Sequence, residues 1–199
     1  MAYSSGFNPH PRISYAGASP TGAASEAEYL EIGLAREVDP VQVMTDLDES
    51  MPDGLDVLEV VVSAGGSLAD LLEASRWRLT LTEVTPETAD AAVRDFLAAG
   101  ESIVERMTKK GLRKFNCREA VVSLTSQPAG ESGAECAILD LVLRHGTPSV
   151  RPDDVLAGLR EHTGLEVGSA PLHERLAQGP LDSENGTVGD PLVRDRDAV

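Results

Sequence analysis

The 199-residue sequence predicts an α+β fold. Three observations point there. Apolar and polar residues alternate with the period of a half-buried strand in several short runs. A capping residue followed by Pro opens two helical patterns, at Asp39-Pro40 and Thr85-Pro86. In the second half a strand, a helix, three strand candidates, a second helix and a last extended piece follow one another, which is read as the order of a β-α-β-β-α-β unit. Hydrophobic residues make up 41% of the chain and aromatic residues 4%, so the core is expected to be aliphatic.

Taken in order, Arg12 to Ala16 reads as a short strand entered through the loop NPHP, because each Pro biases the residue before it toward extended geometry. Ser19 to Ser25 is a turn. From Glu28 to Ala35, Leu30, Ile32 and Leu34 alternate with Tyr29, Glu31 and Gly33, as in a strand with one buried face. Asp39 and Pro40 then start a helix carrying Val43, Met44, Leu47 and Met51, which Pro52 to Gly54 ends. Leu55 to Ser63 is strand-like, and Ser67 caps a short helix through Ala74.

A second cycle begins where Trp77, Leu79 and Leu81 alternate with Arg78, Thr80 and Thr82. Thr85 opens a helix that turns Ala89, Val93, Phe96 and Leu97 inward, and Gly100 closes it. Strands are expected over Ser102 to Met107, Ala120 to Thr125 and Glu135 to Arg144, then a helix over Arg151 to Glu161 and a last extended piece after Gly164. The predicted architecture is two ferredoxin-like units, the first incomplete at its N-terminus: residues 1–75 as the incomplete unit, 76–181 as the second, and 182–199 as a disordered acidic tail with little apolar surface to offset its ordering entropy.

Thirty-three acidic residues against 17 basic ones give a formal charge of -16, which disfavours nonspecific attraction to nucleic acid while leaving room for a local basic site. Cys117 and Cys136 are too few for a disulfide framework and have no metal-ligand spacing, as expected in a reducing cytoplasm. No apolar run approaches the roughly 20 residues that cross a bilayer, so no membrane partner is expected.

Two segments carry candidate chemistry. Asn8, His10 and Arg12 occupy the Pro-constrained loop, where Asn8 and Arg12 could bind phosphate or carboxylate and His10 could exchange a proton. The plain structural alternative is a rigid turn that satisfies its own backbone. The segment RMTKKGLRKFNCR holds Arg106, Lys109, Lys110, Arg113, Lys114 and Arg118 without an acidic residue, and includes all three lysines of the chain. It could contact RNA phosphates with Phe115 stacking on a base; the alternative is a solvated hairpin offsetting an acidic surface. His145, His162 and His173 show no zinc spacing, so no metal is assigned. Ala64-Gly65-Gly66-Ser67 lacks the P-loop lysine and reads as a turn and cap. Glu26 and Glu28 read as surface or structural carboxylates.

The stretch SSGFNPHPRISYAGASPTGAASEAEYLEI resembles the start of the radical-SAM-linked family, a domain of unknown function found beside or fused to radical S-adenosylmethionine proteins. The resemblance continues through TKKGLRKFNCREAVVSL, ILDLVLRHGTPSVRPDDVLAGLRE and RLAQGPL. Family members carry a further strand and an Arg- and Leu-rich helix before GFNPHP, so an N-terminally short member is expected. The resemblance implies a radical S-adenosylmethionine enzyme as partner. Such an enzyme holds its cluster on three closely spaced thiolates, which this chain lacks. The cluster and S-adenosylmethionine are therefore expected on the partner, with no cofactor bound directly by this chain. The expected role is that of a non-catalytic accessory protein presenting an RNA or protein substrate. The competing expectation is an autonomous RNA-binding or RNA-processing protein with His10 as acid or base, and a third is a purely structural interaction module.

Overall fold

The computed structural model describes residues 1–108, 111–129, 136–168 and 170–197. In chain order these form β1 (Ile13–Ala16), β2 (Ala24–Ser25), β3 (Tyr29–Ile32), α1 (Pro40–Asp48), α2 (Leu68–Leu71), β4 (Ala74–Thr82), α3 (Pro86–Ala98), β5 (Ile103–Thr108) and β6 (Gly111–Asn116). There follow β7 (Val121–Pro128), β8 (Cys136–Arg144), α4 (Pro152–Thr163), β9 (Leu172–Gly179), β10 (Leu181–Asp182), β11 (Thr187–Val188) and α5 (Val193–Arg196). The mixed α+β class is as the sequence predicts. The chain divides into two compact units, one built from Met1–Ala18, Tyr29–Asp70 and Pro191–Val199, the other from Ser19–Glu28 and Leu71–Asp190.

The larger unit is organised by alternation. Leu79 faces Leu139 and Trp77 faces Leu141 across the antiparallel β4–β8 ladder, so one face of the sheet is continuously apolar. Strand order is β2-β9-β4-β8-β7, with β4 antiparallel to both β8 and β9, β7 antiparallel to β8, and β2 parallel to β9. Helix α3 contributes Ala89, Ala92, Val93 and Phe96 to the core, and α4 contributes Val155, Leu156 and Leu159. Thr85 caps α3 by accepting from the Thr88 N–H at 3.2 Å, with Pro86 in the first turn as expected. Gly164 ends α4 in the left-handed region, φ 73°, donating to the Arg160 carbonyl. Gly158 serves a packing need: a Cβ there would lie 2.7 Å from Ser102 Oγ and 2.8 Å from Cys117 Sγ. The basic segment forms β6, paired with β5 as a separate two-stranded hairpin.

The smaller unit is held by polar clips. Strands β1 and β3 pair antiparallel, Ile13 opposite Ile32 and Tyr15 opposite Leu30. The N-terminal segment closes back on them through Arg12 N–H to the Ala2 carbonyl at 2.9 Å and Ala2 N–H to the Gly33 carbonyl at 2.6 Å. Asp39 caps α1 by accepting from the Val41 N–H at 2.9 Å. Leu55 to Ser63, expected as a strand, has no ladder partner among the described residues and takes no regular structure. β-forming composition specifies a strand only when a second strand supplies the hydrogen bonds.

The expected tail at 182–199 is also corrected. Thr187–Val188 and Val193–Arg196 are regular elements, and Asp195 is buried. Asp195 accepts from the Ala64 N–H at 3.1 Å, Arg194 donates to the Gly65 carbonyl at 2.7 Å, and Arg196 pairs with Glu59. Charged clips, together with the buried Pro191, hold this segment. Ser19 to Ser25, expected as a turn, contains β2 and joins the larger unit. The division between units therefore does not fall at a single point near residue 75.

Candidate functional site

The NPHP loop is fixed by its backbone. His10 N–H donates to Ser4 Oγ at 3.0 Å, Ser4 N–H donates to the His10 carbonyl at 2.8 Å, and the Gly33 N–H donates to the Arg12 carbonyl at 2.7 Å. Asn8, His10 and Arg12 are all exposed. Among the described residues their side chains make no hydrogen bond or ion pair, so they stand in solvent on a rigid turn. A lone anion there gains little, because water screens every contact. Around them the apolar residues are displayed. Phe7 is fully exposed, Tyr3 is 59% exposed, and Ile13, Tyr15 and Leu30 lie on one face of β1–β3 at 53%, 52% and 40%.

The basic segment is largely committed within the fold. Arg106 and Arg113 face each other across the hairpin, as do Glu105 and Lys114. Arg106 donates to Asp154 and to the Ser149 carbonyl, and its guanidinium lies 5.0 Å from the Phe115 ring centroid. Phe115 is buried beneath it, 8% exposed. The expected stacking role for Phe115 is thereby corrected: the ring is a platform for Arg106, in a cation–π contact, rather than for a base. Burial pushes the Asp154 carboxyl up, against the pull of the Arg151 N–H and the Arg106 charge. Arg118 donates to the Val121 and Leu97 carbonyls, and Lys114 pairs with Glu105. Arg113 is exposed and free among the described residues. Lys109 and Lys110 lie outside the described residues.

Sequence reasoning missed a buried polar network in the larger unit. Strand β9 has an irregularity between Ala177, opposite Arg76, and Arg175, opposite Trp77. The extra residue, Leu176, brings Arg175 and Gln178 to the same side, although three apart in a strand they would otherwise point to opposite faces. Arg175 is 3% exposed and Gln178 fully buried. Arg175 forms an ion pair with Glu28, donates to Ser25 Oγ at 3.2 Å, and stacks 5.6 Å from the Trp77 ring centroid. Gln178 donates to the Ala27 carbonyl at 2.7 Å. Glu28 is therefore the counter-ion of a buried Arg. No local signal in the sequence joins positions 28 and 175; the clue was an Arg and a Gln inside an otherwise extended late segment.

The network continues to His145. The Leu72 carbonyl lies 2.6 Å from His145 Nδ1, and because a carbonyl only accepts, Nδ1 carries the proton. His145 Nε2 then accepts from Ser75 Oγ at 3.0 Å, and Ser75 Oγ accepts from Trp77 Nε1–H at 2.8 Å. Burial, with the nearby Arg175 charge, pushes the His145 pKa down, opposed by the Leu72 carbonyl. A Ser and a neutral His at this spacing match a nucleophile and its base. Ser75 is 3% exposed, however, and its oxygen already serves Trp77. No acyl group reaches it, so the His145–Ser75–Trp77 chain ties His145 to β4 rather than performing transfer chemistry, while Arg175 and Gln178 fasten residues 25–28 onto β9.

Elsewhere in this unit a cavity of about 610 Å³ is lined by Glu83, Glu87, Asp95 and Glu166 together with Val84 and Leu165. Among the described residues no group of three or more His, Cys, Asp or Glu side chains is placed to hold a metal ion. Cys117 is buried, and burial pushes its thiol up, the setting of an unreactive cysteine. No described helix is long and apolar enough to cross a membrane.

Residues 1–152 match the model of a bacterial family described as "Uncharacterized protein conserved in bacteria (DUF2344)". The chain belongs to this family. The DUF2344 match takes in the NPHP loop, the β1–β3 face and the basic hairpin, and it ends at Pro152, the first residue of α4. Arg175 and Gln178 lie beyond it, while Glu28, which Arg175 holds, lies within. A comparison with curated proteins gives no significant match.

Proposed function

We propose that this DUF2344 protein is a non-catalytic accessory protein that acts with a separate radical S-adenosylmethionine enzyme in the cytoplasm. The observation that carries the reading is the exposed apolar face of Ile13, Tyr15 and Leu30 on β1–β3, with Phe7 fully exposed in the preceding loop, in the same stretch that resembles the radical-SAM-linked family. Large exposed apolar side chains grouped on one sheet face mark a protein contact. Two cysteines, one of them buried, cannot supply three cluster thiolates, so the cluster and S-adenosylmethionine belong to the partner. The larger unit is the rigid scaffold. Its order β4-α3-β7-β8-α4-β9, with the strands arranged β9-β4-β8-β7, supports reading it as a ferredoxin-like unit with the β5–β6 hairpin inserted.

Capture of the full-length tagged protein from its native cells, with partners identified by mass spectrometry, tests this. Recovery of an enzyme bearing a three-cysteine cluster motif is the expected result. Its consistent absence from the captured material would count decisively against the proposal.

A second reading, contact with an RNA substrate, is favoured by one observation: Arg113 is exposed on a hairpin whose sequence also holds every lysine of the chain. It predicts that Arg113→Glu weakens RNA binding in a salt-sensitive manner. Anisotropy of a labelled single-stranded RNA measures it, and an unchanged affinity removes the hairpin from consideration.

A further inference from the structure

Within the smaller unit, residues 57–64, VLEVVVSA, are rich in valine and contain no Pro, and residues 60–64 carry no charge, the composition of a segment that pairs readily with another strand. Among the described residues the run belongs to no ladder. Val60 and Val61 are partly buried, while Leu58 and Val62 are 80% and 55% exposed. Its start is tied to α1 by the Val57 N–H, which donates to Asp48 Oδ1 at 2.8 Å. The remainder is pinned from far along the chain. Asp195, 5% exposed, accepts from the Ala64 N–H at 3.1 Å and is itself held by Arg194 Nε and Nη2, each at 3.2 Å. Arg194 Nη2 also donates to the Gly65 carbonyl at 2.7 Å, and Arg196 grips Glu59 through two hydrogen bonds of 2.5 Å. Each of these contacts has a charged member, and the buried Pro191 fixes the start of the segment that supplies them.

We propose that residues 191–197 are a charge-locked strap that opens together with residues 58–64 and, when closed, withholds that run from pairing as a strand. Proteins cover a β-forming run that has no partner in its own sheet, and here the cover is made of carboxylate and guanidinium groups rather than of a ladder. Run and strap hold each other: Ala64 loses its acceptor and Glu59 its cation when the strap leaves, and Asp195 loses the donor that keeps it in place. They therefore open as one local element, at a lower free energy than the closed core of the larger unit. Closure weakens as salt screens its more exposed end, where Arg196 and Glu59 are 38% and 36% exposed.

The test uses the full-length chain, the double variant Arg194→Gln/Arg196→Gln, whose side chains are 48% and 38% exposed, and separately Asp195→Ala. One readout is cleavage within residues 60–64 by elastase, which cuts after small apolar residues and grips its substrate in extended form, so that it reports the run's availability as a strand. The other is hydrogen exchange of the Ala64 and Arg196 amides by NMR. Both are expected to be slow in the wild type and to quicken together as NaCl rises from about 0.1 to 1 M, which shortens the screening length from about 10 to 3 Å. Both variants are expected to speed cleavage and Ala64 exchange at least about tenfold, while the amides of the β4–β8 ladder keep their protection. Unchanged cleavage in the variants, faster exchange at Arg196 without faster cleavage of the run, a wild type cut as fast as the variants, or loss of β4–β8 protection in both variants each overturns the proposal.

Discussion

The two compact units distribute their apolar residues in opposite ways. The larger unit closes its core: Leu79, Leu81, Leu139, Leu141 and Leu159 have no measurable exposure, and two helices cover the sheet face that carries the strand leucines. The smaller unit buries Ala16, Val43 and Leu68 and leaves Phe7, Ile13, Tyr15, Leu30, Val41 and Leu58 in solvent. Its order comes from backbone bonds, the Asp39 cap and the Arg194, Asp195 and Arg196 clips. One unit therefore behaves as a scaffold whose stability is its own, and the other as a surface whose apolar residues do little for folding. That division is the physical content of the accessory reading.

The core of the larger unit is expected to dominate stability. Leu139→Ala in the larger unit is expected to cost about 4 kcal/mol, the transfer loss plus an unfilled cavity, measured by chemical denaturation. Glu28→Ala comes next, at about 3 kcal/mol, because it strands the buried Arg175 guanidinium without its counter-ion. A cost near zero would mean that Arg175 reaches water and that the network is not a fastening.

The His145 contribution is smaller and depends on pH. Its folded pKa is depressed, so the unfolded chain takes up a proton first as pH falls. The stabilisation is complete above the unfolded value of about 6.5 and is lost as pH drops below it toward the folded value. Between pH 7.5 and 5.5 the melting temperature of the wild type should fall more than that of His145→Gln. Trp77, the sole tryptophan, reports the same event by fluorescence, since Ser75 joins it to His145. Least of all, Leu30→Ser on the smaller unit should change stability by under about 0.5 kcal/mol. A loss comparable to that of Leu139→Ala would show that the exposed face belongs to a core.

Much of the larger unit was legible because its signals are local. Thr85-Pro86, the alternation around Leu79, and Val155 to Leu159 at helical spacing each specify an element within about one turn or one strand. What was not legible depends on distant partners. Leu55 to Ser63 is rich in β-forming residues but meets no second strand among the described residues. Residues 182–197 look solvated until Asp195 finds the Ala64 N–H. Phe115, read as an exposed stacking ring, is covered by Arg106 because Asp154, far along the chain, holds that guanidinium in place. Of the candidate residues, Asn8, His10, Arg12 and Arg113 are accessible, whereas Arg106, Lys114 and Arg118 already have partners. The Arg175–Glu28 fastening was invisible because its two ends lie 147 positions apart.

Under the proposed function, the β1–β3 face and its loop dock a radical S-adenosylmethionine enzyme. Parallel capture from native cells with the wild type and with a Phe7→Asp/Ile13→Asp variant tests it most directly, since both side chains are exposed and the variant should fold as the wild type does. The account predicts that the wild type recovers the enzyme and that the variant's recovery falls at least about tenfold, a loss of roughly 1.4 kcal/mol of binding or more. Equal recovery by both proteins, or none by either, would contradict it.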